Sequence, residues 1–284
     1  MKLWNRLFLS GLALAFVLSL GLTVANADTT SKKKKKKSAE KKSTETVVKK
    51  KKHVDVVYSG EINGGNVNGR SGYLYSDTAY TLEKGVFMGG AHAAFYSLGS
   101  QLSIPFGGAY GVTKDLEVSA NTNFYAGSGV SGLGNLTLGG KYGFQMSNEH
   151  LKIAAGLDLP IGPLSNSGYS TVSFVPYGVG TYNFQDGFQL NGQLGIYIPG
   201  GYKIGAFSYT PAAFVQLNAG AAYPFSKDLT GIAEFDINGM GSANSPLIAG
   251  IRTGHDVQLQ AFAGLDLAST VGVLVGGGVV LVSQ

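Results

Sequence analysis

Leu116-Glu117-Val118-Ser119-Ala120-Asn121-Thr122-Asn123-Phe124-Tyr125 is the stretch that decides the fold. Successive side chains of an extended strand point to opposite faces. Leu116, Val118, Ala120, Thr122 and Phe124 therefore share one face, and Glu117, Ser119, Asn121 and Asn123 share the other. The stretch opens right after a tight turn, Thr113-Lys114-Asp115.

The pattern recurs outward from there. Phe188–Ile198 sets Leu190, Leu194, Ile196 and Ile198 against Gln189, Asn191, Gln193 and Tyr197. Val257–Leu267 sets Leu259, Ala261, Ala263 and Leu265 against Gln258, Gln260 and Asp266. Leu151–Leu159 sets Ile153, Ala155 and Leu157 against Lys152 and Asp158. Each segment is long enough to cross a bilayer when tilted, which takes about 9–11 residues.

The connections alternate in length. Short turns recur at Thr113-Lys114-Asp115, Gln145–His150, Gln185-Asp186-Gly187, Ser226-Lys227-Asp228 and Gly254-His255-Asp256. Between them lie longer loops rich in Gly, Ser and Asn. Tight turns on one side and longer loops on the other are the pattern of an up-and-down barrel in an outer membrane. The expected fold is all-β: a closed antiparallel transmembrane β-barrel of about 12 strands over residues 86–284. Five short turns and six loops place both termini on the turn side, the periplasmic side in this class.

A soluble sandwich alternates as well. Its solvated face would carry Lys and Glu, whereas the polar faces here are mostly neutral amides. Aromatics also gather at strand ends, as at Phe124-Tyr125, Tyr142 and Phe144, Tyr182 and Phe184, and Tyr223 and Phe225. That is the placement of interfacial girdles. Pro105, Pro176 and Pro211 fall inside expected strands, and a bulge or bend is expected at each.

Composition agrees with a barrel. Charged residues are 14% of the chain, against about 25% in soluble domains. Glycine accounts for 43 of the 284 residues, about twice the usual share. There is no cysteine, so neither a disulfide nor a lipidated cysteine is available.

Residues 1–27 read as a signal peptide: Lys2 and Arg6, an apolar run Leu7–Leu22, then Ala25-Asn26-Ala27. Residues 28–57 read as a disordered periplasmic arm. Lys32, Lys33, Lys34, Lys35, Lys36, Lys37, Lys41, Lys42, Lys49, Lys50, Lys51 and Lys52 supply 12 of the 22 basic residues of the chain. From Tyr58 onward the balance reverses, with eight basic and thirteen acidic residues. The arm is a candidate polyanion binder, with peptidoglycan or another anionic periplasmic partner as its target and nucleic acid excluded by compartment. Residues 58–85, rich in Gly, Asn and Tyr, read as an ordered lead-in and a candidate periplasmic plug.

The inward phase gathers the charges, because a Lys or Arg facing mid-membrane lipid costs about 2–4 kcal/mol. Glu117, Lys141, Lys152 and Asp158 line the lumen on the first half of the barrel, and Glu234, Asp236, Arg252 and Asp266 on the second. Asn121, Asn123, Gln189, Asn191, Gln193, Tyr197, Gln258 and Gln260 complete the expected lining. Such a lumen suits passage of small solutes, or else a salt-bridged, closed barrel. Gly127–Gly132 matches G-x-G-x-x-G, but a strand follows where a dinucleotide site needs a helix. His92 is the one mid-strand histidine, and no serine partner or metal-ligand spacing accompanies it. No enzyme activity, cofactor or metal is expected; the partners expected are outer-membrane lipid and a small-molecule solute.

Thr81–Gly85, Tyr110–Glu117, Gly134–Tyr142 and Leu157–Gly162 together resemble outer-membrane transporters of the phenol-degradation meta-pathway type. The likeness spans roughly residues 78 to 284 and rests on hairpin and turn motifs. It implies a porin-like β-barrel and uptake of hydrophobic or aromatic compounds. The Lys-rich arm is not part of that pattern. The chain also ends Leu281-Val282-Ser283-Gln284, where such barrels usually finish in an aromatic residue. The alternative reading is a structural or adhesion barrel whose arm does the binding.

Overall fold

The computed structural model describes residues 64–66, 68–97, 100–127, 131–162, 171–204, 207–238, 246–266 and 272–283. The signal peptide and the twelve arm lysines lie outside the described residues. Twelve long strands form the wall: β1 (Phe87–Tyr96), β2 (Gln101–Thr113), β3 (Leu116–Gly127), β4 (Leu136–Phe144), β5 (Leu151–Gly162) and β6 (Val175–Asn183), then β7 (Gln189–Tyr197), β8 (Phe214–Ser226), β9 (Leu229–Asn238), β10 (Pro246–Thr253), β11 (Val257–Asp266) and β12 (Gly272–Ser283). Each pairs antiparallel with its sequence neighbours. β12 returns to β1, from Leu274↔Tyr96 to Ser283↔Phe87, and closes the ring. Closure matters because a backbone edge in hydrocarbon would have no hydrogen-bond partner.

The ring is inside out relative to a soluble domain. In β7, Gln189 and Asn191 are 3% and 6% exposed, while Leu190, Leu194 and Ile196 are 43%, 57% and 47% exposed. The same phase holds in β11, where Gln258 and Gln260 are buried and Leu259 and Leu265 exposed. Water would not tolerate so continuous an apolar surface, and a bilayer supplies the missing solvent. Near the turns, edge-to-face pairs Tyr142–Phe144, Tyr182–Phe184 and Tyr223–Phe225 sit two residues apart on the outer face. They form the girdle on that side.

The prolines act differently from expectation. Between β1 and β2 the ladder runs to Ala91↔Phe106 and resumes at Ala94↔Ser103 in the same register. Pro105 falls in that gap, so its missing N–H interrupts the ladder without a bulge. Pro176 does the same toward β7, between Phe174↔Ile198 and Tyr177↔Gly195. Pro211 is in no strand, because β8 begins at Phe214. Register shifts occur instead next to two tight turns, between Gly111 and Thr113 and between Pro224 and Ser226. There the chain must bend into a two-residue connection.

Leu194 tests the lipid face. Replacing it with Lys should destabilise the barrel by about 2–4 kcal/mol, read as a lower urea midpoint for the variant refolded into vesicles. A change below about 0.5 kcal/mol, the size of an ordinary surface substitution, would mean that Leu194 does not face hydrocarbon.

Candidate functional site: the occupied lumen

Eight strands enclose just enough room for their own side chains, and larger rings leave space. Twelve strands here enclose space that residues 64–82 fill. Asn66 organises the tip of this segment. Its Oδ1 accepts from the Asn68 and Arg70 amides at 3.0 and 3.1 Å, and its Nδ2 donates to Asp77 at 2.8 Å. Gly69 takes a φ of 72°, and a Cβ there would run into the Gly107 carbonyl on the wall. The chain then doubles back, with Gly64–Gly65 pairing antiparallel to Ser71–Gly72.

Charged wall residues hold the segment mainly by its backbone. Glu234 accepts from the amides of Leu74, Tyr75 and Ser76 at 3.0, 2.8 and 2.9 Å, and from the Ser76 hydroxyl. Those three consecutive N–H groups belong to a tight bend in which the Tyr73 amide donates to the Ser76 carbonyl. Such a concavity of amides is a natural anion seat. Glu117 accepts from the Ser71 hydroxyl at 2.6 Å and the Leu82 amide at 3.1 Å. Lys141, 3.7 Å from Glu117, donates to the Ser71 and Thr78 carbonyls at 3.2 and 3.0 Å. Arg252 donates to the carbonyls of Gly65, Gly72 and Tyr73.

One ion pair runs the other way, from segment to wall. Arg70 meets Asp158 at 2.6 Å and Asp77 at 3.2 Å. Burial opposes the Arg70 charge, but Asp77 and Asp158 more than offset it and hold the guanidinium well above its ordinary range. It therefore stays charged where it lies.

The neutral amides are engaged as well. Gln193 accepts from the Asp77 amide at 3.1 Å, and Asn191 donates to the Asp77 carbonyl at 2.8 Å. Gln189 accepts from the Tyr73 hydroxyl at 3.3 Å. Gln258 accepts from the Gly65 amide at 3.2 Å, and Gln260 donates to the Gly65 carbonyl at 2.5 Å. Thr181 accepts from the Ala79 amide at 2.9 Å. Most of the residues read from sequence as lumen lining therefore face inward and bind this segment.

The others do not touch it through any hydrogen bond given above. Asn123 accepts from Ser103 at 3.0 Å, and Tyr197 donates to Ser173 at 3.2 Å while stacking on Phe214. Asn121 and Lys152 are half-buried on β3 and β5. Asp236 and Asp266 are buried at the loop ends of β9 and β11. His92 faces inward and its Nε2 lies 3.1 Å from Gln260, so it belongs to the wall network.

Sequence reasoning missed an apolar half of the lumen. Tyr73 and Leu74 pack with Ala94, Ala222, Ile232, Ile248, Phe262 and Leu274. Ile232 shares the phase of Glu234, and Phe262 that of Gln260, so the signal was present in the alternation. Two inward glycines complete it. A Cβ at Gly220 would meet the Tyr73 ring and one at Gly250 the Leu74 side chain. The wall is pared back where the segment approaches. On the loop side a chamber of about 480 Å³ remains.

A closed twelve-stranded ring with an apolar exterior and a charged interior is an outer-membrane β-barrel, and the outer membrane is where this chain resides. The family model described as "Putative MetA-pathway of phenol degradation" matches residues 108–245, from β2 to the loop after β9. No curated protein matches the chain. Solved structures agree on the fold. An outer membrane channel from Pseudomonas putida F1 is 13% identical, with a TM-score of 0.56, and the match covers 74% of this chain and all of that one. The NanC porin is 7% identical at a TM-score of 0.54, covering 68% and 98% of the two chains. The KdgM porin is 14% identical at a TM-score of 0.50, also covering 68% and 98%. At these identities the likeness is one of fold.

Proposed function

We propose that this protein is an outer-membrane channel for small solutes whose lumen is gated by residues 64–82. One observation carries the reading: the space that twelve strands enclose is filled by a separate, folded stretch of chain, not by the wall's own side chains. A wall built only for stability could fill its lumen with large residues. This wall has glycines at Gly220 and Gly250 and polar side chains that grip backbone atoms. Many individual hydrogen bonds to a short segment make a closure that can let go in steps. The turn side is read as periplasmic, with the Lys-rich arm entering there as a tether for an anionic surface. Hydrophobic or aromatic compounds are the solutes suggested by the family likeness.

The chain contains no cysteine, so a single introduced pair can lock the segment. Ala79 and Thr181 touch across the lumen wall. The A79C/T181C protein should pass no current in a planar bilayer when oxidised and show channel openings once reduced. Equal currents in both states would remove residues 64–82 from the path. Silence in both states would favour the second reading, a closed structural barrel, which the extent of the hydrogen-bonded lumen otherwise supports.

A further inference from the structure

We infer that the lumen, once residues 64–82 leave it, is a path for short uncharged peptides, and that the segment occupies it as a stand-in for them. The inference rests on the channel reading above and names the solute.

Two pairs of wall amides each bracket one residue of the segment. On β7, Gln193 accepts from the Asp77 amide at 3.1 Å while Asn191 donates to the Asp77 carbonyl at 2.8 Å. On β11, Gln258 accepts from the Gly65 amide at 3.2 Å while Gln260 donates to the Gly65 carbonyl at 2.5 Å. Both bracketed residues have β-type pairings: Gly65 pairs with Ser71, and Asp77 bridges to Gly72. In an extended chain the N–H and C=O of one residue point to the same side. Side chains two positions apart on a wall strand share a face, so an acceptor and a donor there meet both groups at once.

These bonds go to backbone, not to side chains. Gly65 has no side chain, and the Asp77 carboxylate is met by Asn66 and Arg70 of the segment itself. Thr181 and Arg252 extend the pattern, Thr181 accepting from the Ala79 amide and Arg252 donating to the Gly72 and Tyr73 carbonyls. Any extended peptide offers the same groups in the same order. The wall also selects residue size. A Cβ at Gly65 would run into Val280 and Met88, so that bracket takes glycine. A Cβ at Gly220 on the wall would meet the Tyr73 ring, so its absence leaves room for an aromatic residue. A hydrocarbon solute would leave the bracketing amides unpaired. A sugar's hydroxyls rotate and present no fixed pair of donor and acceptor.

Entry into vesicles carrying the full chain tests this, with acetyl-Gly-Tyr-amide as the probe. Its control is the depsipeptide in which ester oxygens replace the two backbone N–H groups, and mannitol is a solute with no peptide unit. Leak into protein-free vesicles is subtracted. At micromolar concentration, where entry limits the flux, the peptide should enter about fivefold or more faster than the depsipeptide, the effect of one uncharged hydrogen bond kept or lost. N191A/Q193A loosens the segment and should raise mannitol entry, yet the ratio of peptide to depsipeptide should fall by about twofold or more. If that variant does not fold, Q258A/Q260A should lower the ratio in the same way. Equal entry of peptide and depsipeptide in the wild type would overturn the inference, and so would a ratio that the folded variant leaves unchanged. Mannitol entry in those cases keeps the channel reading standing. Exclusion of all three solutes would overturn the channel reading and this inference with it.

Discussion

Deleting residues 64–82 should turn a shut barrel into an open one, with mean bilayer current at least about tenfold above that of the full chain. The wall does not need the segment for its hydrogen bonds, since the ring closes through the β12–β1 ladder. A protein lacking residues 64–82 should therefore still migrate as a heat-modifiable barrel. Loss of partners would strand Glu117, Glu234 and Arg252 if the lumen stayed dry, and a buried unpaired charge is costly. An emptied lumen fills with water, and that cost falls away. The price is the apolar half: Ile232, Ile248, Phe262 and Leu274 become wetted, so the melting temperature should drop. The open pore should also prefer cations, because the inner wall carries five acids, at Glu117, Asp158, Glu234, Asp236 and Asp266, against Lys141, Lys152 and Arg252. A deleted barrel that folds and stays silent would show that side chains and loops close the lumen unaided.

The wall was legible because lipid and lumen impose opposite demands on adjacent residues. Leu190 and Asn191 cannot both be satisfied except by a strand between the two media, and the alternation states that directly. The closed ring, the five tight turns and the longer loops follow from the same reading. The grip on residues 64–82 was much less legible. Its backbone is what the wall binds, and backbone amides such as those of Leu74, Tyr75 and Ser76 leave no trace in residue type. Only the Gly- and Asn-rich composition hinted at an ordered lead-in. The prolines show the limit in the other direction: Pro105 reads as a break in a strand, yet a ladder can skip it and keep its register when both neighbours hold their own.

Glu234→Gln should be the strongest single substitution on gating. Four donors converge on the Glu234 carboxylate: the amides of Leu74, Tyr75 and Ser76 and the Ser76 hydroxyl. A carboxylate offers two accepting oxygens, whereas an amide offers one oxygen and turns an NH₂ group toward the remaining donors. At least two hydrogen bonds to a charged acceptor are lost, each worth about 1.5–3 kcal/mol. That shifts the balance between held and released segment by roughly a hundredfold or more. Channel openings should rise accordingly, with little change in folding, since the side-chain volume is kept. The effect must act through the segment. E234Q placed in the oxidised A79C/T181C background should therefore be as silent as the lock alone, and should recover its openings on reduction. Raised current that persists in the oxidised triple variant would mean that Glu234 acts on the wall, not on the segment it holds.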